Sequence, residues 1–101
     1  MAVIIDLSIF PLDKGGSGLS AFVSRALNVI KESGLKHRLC PMGTSIEGEW
    51  DEVMGVVDAC YRELEKDSDR LYMTIKVDAR KGRRDGMDQK LHSVESKLAL
   101  G

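Results

Sequence analysis

Aromatic side chains are scarce in this chain: Phe, Tyr and Trp make up 5% of its 101 residues. With so few, the strands are not expected to carry the aromatic pairs with which RNA-recognition motifs stack bases. Neither sign of charge dominates, with 15 Lys and Arg against 16 Asp and Glu and a net charge of -1. No general attraction to nucleic acid or to an anionic membrane follows from that balance, so neither is expected as a partner. No apolar run approaches the ~20 residues of a membrane-spanning helix. The start, Met1-Ala2-Val3-Ile4-Ile5-Asp6, has neither the basic leader nor the small-residue cleavage site of a signal peptide, and a cytoplasmic location is the expectation.

Cysteine is equally sparse. Cys40 and Cys60 lack the CxxC spacing of a copper chaperone, a redox pair or a zinc site, and free thiols are expected. His37 and His92 have no ligand companion at fixed spacing, so no metal is expected. Gly15-Gly16-Ser17-Gly18 lacks the order of a P-loop and the full dinucleotide fingerprint. It reads as a flexible loop, with anion binding at the following helix N-terminus as the alternative.

What is present is the patterning of one ordinary globular domain, 43% hydrophobic and 31% charged, too short for two cores. Residues 3–10 alternate, Val3, Ile5, Leu7 and Ile9 on one face and Ile4, Asp6, Ser8 and Phe10 on the other, which is a strand ended by Pro11. Leu19, Phe22, Val23, Ala26, Leu27 and Ile30 form the apolar stripe of a helix that Ser33-Gly34 stops. Two short extended segments follow, Lys36 to Cys40 and Met42 to Glu49, joined by a tight turn at Pro41-Met42-Gly43. A second helix starts near Trp50, with Asp51 and Glu52 where the helix dipole favours acids, and it carries Val53, Val56, Val57, Cys60 and Leu64 on one stripe. Residues 71–78 alternate again, Leu71, Met73, Ile75 and Val77 inward and Tyr72, Thr74, Lys76 and Asp78 outward. A charged loop then leads to a third helix with Met87, Leu91, Val94 and Leu98 on a narrower stripe, able to lie against the sheet edge or another subunit.

Strand, helix, strand, strand, helix, strand is the split βαβ order of the ferredoxin-like class. The predicted fold is α+β, a ferredoxin-like βαββαβ sandwich: a four-stranded antiparallel sheet, two helices on one face, and an added C-terminal helix. The first strand should lie between the third and fourth. One sheet face stays uncovered by the two helices, displaying Asp6, Ser8, Tyr72, Thr74 and Lys76 with polar side chains of Met42 to Glu49 beside Asp6 and Ser8. Such a surface can hydrogen-bond a small polar ligand, particularly at a subunit contact, or can simply be solvated, as antiparallel sheets commonly are. Glu47 and Glu49 are a carboxylate pair without an evident acid/base partner. Cys60 reads as core, and Arg80, Lys81, Arg83 and Arg84, flanked by Asp78 and Asp85, read as a site of local or intersubunit ion pairing.

Several segments also resemble the small thiamine-binding protein family, single-domain cousins of tandem-domain proteins that bind thiamine or its hydroxymethylpyrimidine part. They are Ser8-Ile9-Phe10-Pro11-Leu12, Ser17-Gly18-Leu19-Ser20, Asp69-Arg70, Ile75-Lys76-Val77-Asp78-Ala79-Arg80 and, most specific, Pro41-Met42-Gly43-Thr44-Ser45-Ile46-Glu47-Gly48-Glu49. The resemblance implies one domain over residues 1–101, assembly into a homo-oligomer, dimer or tetramer, and binding of thiamine or a related pyrimidine without catalysis. It implies no cofactor; thiamine enters as ligand. Asp6, Ser8, Met42, Thr44, Glu47 and Lys76 are the candidate ligand-binding residues. Ser8, Thr44 and Glu47 are suited to the donor and acceptors of an aminopyrimidine, and Glu47 or Asp6 to a cationic thiazolium. The alternative is a structural or regulatory oligomeric module with no small ligand.

Overall fold

A computed structural model describes residues 1–14, 18–82 and 85–100, the last two of these without their side chains. Gly15, Gly16, Ser17, Arg83 and Arg84 lie outside the described residues, and with them most of the glycine-rich loop and half of the basic cluster. The elements run β1 (Ala2–Pro11), α1 (Leu19–Glu32), β2 (Lys36–Cys40), β3 (Gly43–Glu49), α2 (Trp50–Glu65), β4 (Leu71–Ala79) and α3 (Gly86–Leu100). The four strands form one antiparallel sheet in the order β2-β3-β1-β4. This is the expected architecture, with β1 between β3 and β4.

Alternation decides the two faces. Val3, Ile5, Leu7 and Ile9 are buried beneath α1 and α2 together with Ile46, and the intervening residues of β1 are half-buried on the other face. Val53, Val56, Val57, Cys60 and Leu64 bring α2 onto this core, and Ala26 and Ile30 bring α1. Truncating a fully buried member such as Ile46 or Leu64 to Ala would cost about 2–5 kcal/mol. Gly34, at φ 75°, provides the left-handed residue just past the end of α1.

One expectation needs correction. Met73 and Val77 share the helix-side face with their partners Ile9 and Ile5, yet they are 40% and 45% exposed. The reason is that α1 and α2 sit over β1, β2 and β3, leaving the edge strand β4 poorly covered. On α3 the apolar stripe is buried only at Met87, while Leu91, Val94 and Leu98 are exposed. Polar contacts fasten the start of that helix to the uncovered sheet face instead. The Gly86 N–H donates to Glu47 Oε2 at 2.5 Å, Lys36 pairs with Asp88 and, at 3.7 Å, with Asp85, and Lys90 pairs with Asp78. Asp78 and Asp85 therefore reach α3 and β2 rather than only the neighbouring basic loop.

Candidate functional site

The register sorts the uncovered face into cross-strand rows. Lys36, Glu47, Ile4 and Asp78 form one row, and Arg38, Ser45, Asp6 and Lys76 the next. The first row is taken up by α3. Lys36 in it is held above the usual lysine range by Asp88, and Asp88 is held below the usual carboxylate range by Lys36. In the second row Asp6 and Lys76 are cross-strand neighbours, and neither forms an ion pair among the described residues.

Thr44 is elsewhere. It pairs with Leu7, so its side chain turns to the helix side and is only 7% exposed. The expectation that polar side chains of Met42 to Glu49 line up beside Asp6 and Ser8 therefore holds for Ser45 and Glu47 but not for Thr44. Thr44 and Glu47 are three positions apart, an odd step, and period-two alternation sends them to opposite faces.

What Thr44 lines is a cleft of about 240 Å³ between α1 and the far end of β1, closed by the β2–β3 hairpin. Leu7, Ile9, Val23, Ala26 and Ile30 form apolar walls and Leu39 and Met42 stand on the hairpin; Ser8, Phe10 and Cys40 border the rim, their side chains alternating toward the other sheet face, where the Phe10 ring packs 5.6 Å from that of Tyr72. The Thr44 hydroxyl makes no hydrogen bond to any described group; the buried side-chain oxygen left without a hydrogen-bond partner among the described residues is Glu47 Oε1, on the other sheet face. No charged side chain belongs to the described lining. The cleft is below the ~300–1,000 Å³ of drug-sized sites and suits a single ring.

The hairpin depends on Gly43. A Cβ there would lie 2.9 Å from Asp6 Oδ1 and 3.0 Å from the Leu7 carbonyl oxygen, so a side chain at this position would displace the Asp6 carboxylate and crowd the β1 backbone. The loop after β1 is tied down separately. Asp13 accepts the Ser68 hydroxyl at 2.6 Å and the Asp69 N–H at 2.7 Å, bonds that keep its carboxyl below the usual range.

Of the six candidate ligand residues, Met42 and Thr44 line the cleft, and Ser8 borders it with a side chain that alternates to the other face. Asp6 and Lys76 are together on the opposite sheet face, and Glu47 lies one row further along under α3. The set is thus two groups and not one. The cleft walls contributed by α1 and by Leu39 were absent from that set, because an apolar stripe reads as core whether or not one end of it faces a cavity. Cys60 is fully buried, its Sγ–H directed to the Ala26 carbonyl at 3.6 Å. His37 Nδ1 is 2.9 Å from the Leu35 carbonyl oxygen, and His92 is exposed. The described residues contain no group of three or more His, Cys, Asp or Glu placed to hold a metal, and no helix long and apolar enough to cross a membrane.

A family model described as thiamine-binding protein matches residues 5–95. The chain is 38% identical over 99 residues to the UPF0045 protein sll0230 of Synechocystis sp., covering 97% of this chain and 81% of that protein. It is 34% identical over 92 residues to the UPF0045 protein MJ1052 of Methanocaldococcus jannaschii, covering 91% of each. The crystal structure of MJ1052 superposes with a TM-score of 0.85 over 93% of this chain and 96% of that one. The Thermotoga maritima protein TM0486, described as a candidate thiamine biosynthesis/salvage protein, superposes with a TM-score of 0.83 at 24% identity over 93% of this chain and 99% of that one, a likeness of fold.

Proposed function

Because the chain belongs to the thiamine-binding protein family, we propose that it binds thiamine or a related hydroxymethylpyrimidine, without catalysis, in the cleft between α1 and the β2–β3 hairpin. The observation that carries this reading is an apolar cleft the size of one ring with the Thr44 side chain, a residue only 7% exposed, on its wall. A flat heterocycle gains apolar contact on both faces there and satisfies the hydroxyl at its edge. The described lining has no carboxylate or imidazole to act as general base, which favours binding over turnover. Asp6 and Lys76, on the other face of the sheet, are left out of the pyrimidine contact in this reading, and Glu47 serves the α3 junction.

Thermal unfolding tests it. Thiamine at 100 times its Kd should stabilise the fold by about 2.7 kcal/mol, which is roughly 10–20 °C in Tm for a domain this size. Thr44→Val should lose most of the ligand-induced shift while its own Tm stays close to the parent's. No shift with either thiamine or hydroxymethylpyrimidine would refute the proposal.

We also propose that the chain works as a homo-oligomer. Support comes from the exposed stripe of Leu91, Val94 and Leu98 on α3 and from Met73 and Val77 on the edge strand, apolar surface of the kind that marks contacts between subunits.

A further inference from the structure

Strand β1 is longer than the strand it pairs with, and the excess opens onto the cleft. In an antiparallel ladder the N–H and C=O of one residue point to the same neighbouring strand, and those of the next residue to the other. Leu12 N–H donates to the Arg70 carbonyl on the β4 side, and the Met1 carbonyl accepts from Trp50 N–H on the β3 side. Even residues of β1 thus turn to β4 and odd residues to β3. Pairing with β3 ends at Leu7↔Thr44, while pairing with β4 runs on to Pro11↔Leu71. One further hydrogen-bonded step would join Ile9 to Met42, but the chain has already turned there, and no such bond forms.

Ile9 is therefore a residue only 6% exposed whose backbone N–H and C=O face the cleft without a strand partner. Buried backbone groups are nearly always paired. Pro11 fits the same picture: it sits two residues on, with its ring nitrogen toward the open side, where the missing N–H costs no ladder bond. The open edge thus offers one donor, at Ile9, next to its own acceptor.

We propose that this edge is the recognition element of the cleft: Ile9 N–H donates to a ring nitrogen, and Ile9 C=O accepts from an exocyclic amine beside it. The ligand class is an aminated nitrogen heterocycle held as if it were the next strand, with the Thr44 hydroxyl at the adjoining wall. This rests on the cleft reading above and adds to it a specificity. An oxo group in place of the amine puts a proton on the ring nitrogen and exchanges donor for acceptor.

Two measurements on the whole chain test the proposal together. Affinities are compared for thiamine and for oxythiamine, its oxo analogue, and amide exchange at Ile9 is followed by NMR with and without saturating thiamine. The expected result is at least tenfold weaker binding of oxythiamine, with exchange at Ile9 slowing on thiamine addition while Ile5 and Leu7, already in the ladder, change little. Equal affinity for the two compounds, or thiamine binding that leaves Ile9 exchange unchanged, would overturn the recognition proposal and leave the cleft standing. Failure of both thiamine and hydroxymethylpyrimidine to bind would overturn the two together.

Discussion

Cys40 and Cys60 show how one residue type takes two characters from its position. Cys60 is fully buried on α2, and burial pushes its thiol up to about 11; Cys40, on the edge strand β2, is half-buried beside the cleft. At pH 8 a thiol reagent should label one cysteine of the native protein and two of the unfolded chain, and saturating ligand should slow labelling of Cys40. Rapid labelling of both in the native state would contradict the burial of Cys60. The raised folded value also fixes a sign. The unfolded thiol ionises near its ordinary value of about 8.5, so the contribution of Cys60 to stability is full below that pH and is lost as pH rises through the folded value. Alkaline denaturation curves should be less steep above pH 9 for Cys60→Ala. Gly43 and Thr44 are the other decisive single residues, one permitting the close approach of the hairpin to β1, the other carrying a hydroxyl to the helix side.

The third helix joins the sheet by charge and leaves by its apolar stripe. Lys36, Glu47 and Asp78 hold its first turns, whereas Leu91, Val94 and Leu98 face outward. If that stripe forms a subunit contact, sedimentation should find the parent chain heavier than its 11.2 kDa monomer, and a Leu91→Ser, Val94→Ser, Leu98→Ser variant should shift toward the monomer with its sheet intact. A parent that sediments as a monomer at micromolar concentration would remove the assembly proposal. Elements of this kind also mark how far the sequence could be read. Period two in β1 and the Val53 to Leu64 stripe of α2 declared which side is core, because burial repeats with the geometry of the element. The same patterns could not say what covers Met73, Val77 or Leu91, since that depends on where neighbouring elements end. The block from Met42 to Glu49 was read as one polar segment, and only the register with β1 divided it between two faces.

At the scale of the whole molecule, the sheet separates two surfaces with different chemistry. One is a charged face partly closed by α3. The other is an apolar interior that opens at the corner where β1 outruns β3 and α1 leans over the gap. The resemblance of the sequence to its family pointed to a ligand, and the polar strand residues pointed to the charged face; the register and the cleft move the proposed site to the opposite side of the same sheet. That relocation was not readable from residue types, because the open backbone edge of Ile9 is a difference in strand length that no single side chain signals. A thiamine titration followed by amide NMR tests the relocation most directly. The account predicts that shifts concentrate at Ile9, Val23, Met42 and Thr44; shifts confined to Asp6, Ser45 and Lys76 would contradict it.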